Sequence, residues 1–212
     1  MTDSGPAKVT AWVGDEAARR RRDLELQNQL GGHRIKGVRY IELRYEGHPG
    51  PMWGAASFDS LDYGLELDLD NGTTWSVIWM QHGPNEALLV DEGPLAPIHL
   101  RADAAIAVWD VTERWDALGP GSISRITSVW TRHGFGPAYD SSGQQVAPAG
   151  KSDMCLLTLL LRGPDGRETA ITLGEDINGG YAYTADNVSV FFSIDEARRA
   201  RVLLPGDADA IA

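Results

Sequence analysis

Along residues 63–82, apolar side chains fall on alternate positions on either side of Asp70-Asn71-Gly72. This is the pattern of two half-buried strands joined by a tight turn. A two-residue Asn71-Gly72 loop would set Leu67 against Ser76 and Asp68 against Trp75, mixing carboxylates and indoles on one surface. A three-residue loop with Gly72 left-handed sets Leu67 against Trp75, Leu65 against Val77 and Tyr63 against Trp79. Asp68/Thr74 and Glu66/Ser76 then share a face suited to water, so this register is the expected one. The construction recurs at 155–173, where Pro164-Asp165-Gly166 forms the loop. There, Leu161/Thr169, Leu159/Ile171 and Leu157/Leu173 make the apolar face, and Arg162/Glu168 and Thr158/Thr172 the other. Parity places Cys155 on the apolar face, as a buried packing residue rather than a nucleophile.

Elsewhere the pattern is less regular. Residues 14–30 are rich in helix formers with a thin apolar stripe, and Gly31-Gly32 supply a stop, which predicts a surface helix. Its Arg19–Arg22 run is expected to pair with acidic residues of the same chain. A strand is predicted at 36–45, a helix at 103–118 whose front could instead be a strand, and a strand at 123–132. A loop at 138–152, a strand at 188–193 and a short helix from Asp195 complete the reading. Ile106, Trp109 and Trp115 lie close to helical spacing and are expected to form a packed helix face.

Strands outnumber helices and their pairing is local, so the expected fold class is α+β. It is a predominantly antiparallel β-sheet built from repeated hairpins, with an N-terminal surface helix and one or two further helices. Residues 1–13 read as a flexible arm and 14–212 as a single domain. An internal duplication is suggested over about 36–92 and 123–194, because Gly72 and Gly166 occupy equivalent loop positions 94 residues apart. A second echo, Trp-x-x-His-Gly at 79–83 and 130–134, has an offset of 51, so the two echoes do not describe one tandem repeat.

Composition narrows the function classes. A formal charge of −11 opposes nucleic-acid and anionic-membrane binding and allows a basic partner, although surface carboxylates also serve solubility alone. The start of the chain lacks a signal-peptide core and no run approaches a membrane span, which makes a cytoplasmic location the expectation. A single cysteine excludes an internal disulfide and a cysteine-based metal cluster. Seven tryptophans against four phenylalanines suit a core, a ligand pocket or a protein interface equally.

The candidate chemistry centres on His82 and His133, each at a predicted strand exit. If the two turns converged, the imidazoles could act as acid and base near neutral pH or ligate a metal, with Glu86 and Asp91 nearby. The competing account is that tryptophan fills the core, glycine permits the turn, and histidine bonds to backbone. Trp79, Trp130, His48 and Trp53 are the candidate binding residues. No metal site and no cofactor is expected: Asp68–Gly72 opens like a calcium loop, but Trp79 stands where the twelfth-position glutamate belongs. Named hydrolase, metalloprotease and phosphate-loop signatures are absent. The expected function is a binding protein, of inhibitor or immunity type, that covers a basic protein partner. The alternative is a small cofactor-independent enzyme, an isomerase, cyclase or hydrolase, acting on a small-molecule ligand through the histidine pair.

Overall fold

The computed structural model describes residues 13–44, 50–54, 57–82, 85–95, 105–133, 138–139, 142–147, 153–178, 180–182 and 187–205. The chain runs β1 (Val13–Gly14), α1 (Glu16–Leu30), β2 (Ile35–Leu43), β3 (Asp59–Leu61), β4 (Gly64–Leu69), β5 (Thr74–His82), β6 (Asn85–Glu92) and β7 (Ile106–Asp110). It continues through α2 (Thr112–Leu118), β8 (Arg125–His133), β9 (Ala138–Tyr139), β10 (Gln145–Ala147), β11 (Asp153–Arg162) and β12 (Glu168–Leu173). Last come β13 (Glu175–Ile177), β14 (Gly180–Ala182), β15 (Val188–Phe191) and α3 (Ile194–Arg199).

Every strand pairing is antiparallel, and two sheets dominate. One has the order β6-β5-β4-β2-β7; the other runs β8-β11-β12-β15-β3, with β1 beside the start of β11. Strand β6 packs across β11 and β12, so the inner faces of both sheets share one core that includes Leu65, Leu67, Trp75, Val77, Leu159, Ile171 and Val190. Phe58, Leu160, Ala170, Phe191, Ala197, Val202 and Leu204 form a second, smaller cluster. Its strand residues lie on the outer face of the second sheet, against α3.

The two tight loops explain the local registers. Leu67 pairs with Trp75 and Leu65 with Val77, while Asp68 and Glu66 oppose Thr74 and Ser76. Gly72 takes φ +86°, donating its N–H to the Leu69 carbonyl while the Leu69 N–H bonds Thr73. The Gly163–Arg167 loop repeats this pattern with Gly166 at φ +85°. L side chains rarely adopt that conformation, which is why glycine stands at both places. The β4–β5 ladder begins at Gly64/Ile78, so the Tyr63/Trp79 pair falls beyond it.

Three expectations are corrected. Residues 106–110 form β7 and the helix begins only at Thr112, because β2 offers an edge whose backbone groups they bond. Ile106 and Trp109 are therefore on opposite faces of a strand and do not share a helix face with Trp115. Cys155 is fully buried, yet the register of β11 against β8 shifts between Leu156 and Thr158. The extra residue inverts the parity, and Cys155 faces away from Leu159 and Leu161.

Helix α1 bridges the edges of the two sheets. Asp15 caps it by accepting from the Ala18 N–H at 2.8 Å. Arg22 donates to the Val90 carbonyl of β6 at 2.5 Å, Gln27 accepts from the Ile126 N–H of β8 at 2.9 Å, and Trp130 Nε1 donates to Asp23 at 2.8 Å. Arg19, Arg20 and Arg22 pair with Glu16, Asp23, Glu25 and Asp91. Covering β6 and β8 in this way occupies two edges that would otherwise be open to another chain. Trp130→Phe is expected to lower stability by about 1 kcal/mol through the lost Asp23 bond. In thermal unfolding this is a fall in midpoint of roughly 2–4 °C for a domain of this size; an unchanged midpoint would show that the link contributes nothing.

Candidate functional site

Two connections carry the chain from the first sheet to the second: the one between β2 and β3, of which residues 44, 50–54 and 57–58 are described, and the one through α2 between β7 and β8. They meet over Tyr40 of β2, which is buried with its side chain directed at both. The first crossover brings Trp53 edge-on to the Tyr40 ring at 5.2 Å and places Asp59 to accept from the Tyr40 hydroxyl at 2.9 Å. The second brings Arg114, whose Nε and Nη2 donate to the two Asp59 oxygens at 2.9 and 2.8 Å, and Trp115, whose Nε1 donates to the Tyr40 oxygen at 3.0 Å. The α2 start is fixed on β2 by the Val111 N–H to the Val38 carbonyl and the Val38 N–H to Thr112 Oγ1.

Asp59 is fully buried, and burial pushes its carboxyl above the ordinary aspartate value, against the Arg114 and Tyr40 bonds that favour the anion. Burial also drives the Tyr40 phenol well above its usual range. The fork of Arg114 is planar and bidentate on Asp59, and its carbon lies 5.5 Å from the Trp53 ring centre and 5.4 Å from that of Phe192. Trp53 and Arg114, with Pro51, Met52 and Gly54, line an open pocket of about 480 Å³.

Beside this network lies Glu42, on the same face of β2 as Tyr40. It is only 3% exposed. Its Oε2 receives the Met52 N–H at 3.5 Å, and its Oε1 has no hydrogen-bond partner among the described residues. Burial raises its pKa, the Asp62 carboxylate adds to the rise, and the Met52 N–H and Trp109 indole oppose it. The Trp109 indole is turned toward the Glu42 carboxyl but lies beyond hydrogen-bond distance, and the Trp53 indole N–H is buried without an acceptor among the described residues. Glu42 Oε1 and the Trp53 N–H are thus left without a close partner near the pocket wall that Trp53 forms. Buried polar groups are normally bonded, so these atoms make this the candidate site among the described residues. Among the described residues no cluster of three or more histidine, cysteine, aspartate or glutamate side chains could hold a metal ion.

No family model, curated protein or solved structure matches the chain. The functional reading therefore rests on this geometry.

The candidates read from the sequence are scattered. Trp53 lies on the pocket wall. Trp79 is partly buried and donates to the Asp62 carbonyl at 3.2 Å, which steadies the turn before β4. Trp130 is 6% exposed, beneath α1. Glu86 is half-buried opposite Gln81 at the β5–β6 hairpin. His48 lies outside the described residues. The backbones of His82 and His133 are described and their side chains are not: His82 ends β5 opposite Asn85 in the first sheet, and His133 ends β8 opposite Asp153 in the second. Each sheet contains a four-strand meander, β2-β4-β5-β6 and β8-β11-β12-β15, and both tight loops join the second strand to the third. In that scheme His82 ends a third strand and His133 a first, so the Trp-x-x-His-Gly echo does not mark equivalent places.

Sequence reasoning missed Tyr40, Glu42, Asp59, Arg114 and the role of Trp109. One signal was present: Glu42 interrupts the otherwise apolar Val38-Tyr40-Glu42 alternation, an acid on a core-facing position.

Proposed function

We propose that the protein is a binding protein that covers a basic protein partner, in the manner of an inhibitor or immunity-type protein. In this reading a lysine or arginine of the partner reaches the Glu42 cluster past the Pro51–Gly54 rim. The observation that carries this is the buried Glu42 carboxyl with an unpartnered oxygen. Support comes from charge: among the described residues the cluster holds the carboxylates of Glu42, Asp59 and Asp62 together with the guanidinium of Arg114, within a chain of net charge −11. A cation bonded to Glu42 beside the Trp53 and Trp109 rings gains both a charge-assisted bond and an aromatic contact. The enzyme alternative through His82 and His133 has no observation in its favour: their backbones end strands of different sheets, and their side chains lie outside the described residues.

The test uses wild-type protein, Glu42→Gln and Trp53→Ala as baits in an extract of the native cell. Wild type is expected to retain a cationic protein that both variants lose, with binding weakened about tenfold or more in each. Retention of the same partner by all three baits, or recovery of an acidic partner, would refute the proposal.

A further inference from the structure

We propose a second binding site, on the outer face of the second sheet, that takes the phosphoryl group of a small phosphate monoester. Arg125 of β8 and Arg162 of β11 are direct cross-strand partners, so their side chains leave the sheet on the same face. Like charges placed opposite each other destabilise an antiparallel pair unless an anion lies between them. Glu168, across from Arg162 on β12, pairs with Arg162. Among the described residues the Arg125 side chain has no ion-pair or hydrogen-bond partner, although the chain is rich in acidic residues. Arg198 of α3 closes the group from above, paired at 3.3 Å with an Asp195 that is itself largely exposed.

These three arginines share a pocket of about 210 Å³ with the Glu168 carboxylate, which is paired with Arg162, and with Leu160, Ile194 and Leu204. At about 30 Å³ for each water's share of liquid, the pocket exceeds the space of an isolated oxyanion. The apolar wall belongs to the smaller core cluster through Leu160 and Leu204 and gives a short hydrocarbon substituent a surface to cover. Guanidinium forks match phosphate oxygens bidentately. The ligand chemistry that fits is therefore a tetrahedral oxyanion carrying a small apolar group. The site shares no lining residue with the Trp53 pocket, so it stands or falls independently of the partner-binding proposal.

The experiment is calorimetric titration of the whole chain with phenyl phosphate, inorganic phosphate and phenol at fixed ionic strength and pH 7.5. Phenyl phosphate is expected to bind saturably, one per chain, and more tightly than inorganic phosphate, while phenol gives no binding. Arg125→Gln and Arg198→Gln should each weaken phenyl phosphate about tenfold or more. Lys36→Gln, which removes an exposed cation from the other sheet, should leave binding unchanged. Unfolding midpoints of the variants confirm that each is folded. Non-saturable binding, or equal weakening by Lys36→Gln, would overturn the site. Equal affinity for inorganic and phenyl phosphate would overturn its assignment to a monoester.

Discussion

Asp59→Ala is expected to destabilise the protein by about 3 kcal/mol, near the lower end of what breaking a buried ion pair from one side costs. The carboxylate is fully buried and accepts three bonds, two from Arg114 and one from the Tyr40 hydroxyl. Its removal leaves the Tyr40 hydroxyl proton without an acceptor inside the core and the guanidinium beside it uncompensated. Arg114 is 36% exposed and can turn part of its charge to water, which keeps the loss near that lower end. The expected fall in thermal midpoint is roughly 6–12 °C. Adding Arg114→Met to Asp59→Ala should recover part of the loss, because it removes the unpaired charge. A midpoint shift of less than about 2 °C for Asp59→Ala would show that the network is not coupled to folding. Pocket geometry would change with it, since Asp59 is what holds the guanidinium over Trp53.

Glu42→Gln is expected to act in the opposite direction on stability while weakening partner binding about tenfold or more. The Glu42 carboxyl titrates above the ordinary glutamate value of 4.5 in the folded protein. A folded-state pKa above the unfolded one means that the native state holds the proton more tightly. The resulting stabilisation is complete below the unfolded value and is lost as pH rises through the raised one. Wild type therefore gives up stability across the window above pH 4.5, where the buried carboxyl is forced to ionise without a full set of bonds. Glutamine keeps the shape and never ionises, so the variant should be more stable by about 1 kcal/mol at pH 8 and equal to wild type near pH 4. Asp59, raised in the same sense, is untouched by the substitution and its pH dependence remains. Denaturant unfolding at the two pH values reads the difference. A variant that is less stable than wild type at pH 8 would show that Glu42 is a satisfied structural residue. A gain in stability joined to a loss of partner is the behaviour of a group kept for binding at the expense of the fold.

The hairpin around Gly72 was legible because its information is local. Alternation, an Asp-Asn-Gly loop and the demand that one face be apolar admit a single register, and Leu67/Trp75 follows from them. The 155–173 hairpin was legible for the same reason, up to the bulge beside Leu157, where one additional residue reversed the face of Cys155 without a marker in the sequence. Residues 106–110 read ambiguously because their apolar spacing suits either period. The free edge of β2 decided the matter by accepting them as a strand. Trp53 was singled out for its type alone; nothing in its neighbourhood announced Arg114, which is 61 positions further along the chain.

What the sequence determined by itself is the two tight hairpins and their registers, the N-terminal helix and the excess of negative charge, because each depends on residues within one turn, one pair of strands or the composition alone. Tertiary structure alone decided that strands consecutive in the chain divide between two sheets, and that the connections before β3 and through α2 meet over Tyr40. Burial and charge pairing act between groups that are distant in sequence: Tyr40, Asp59 and Arg114 become one network, and Glu42 is left with an oxygen that no other described residue satisfies.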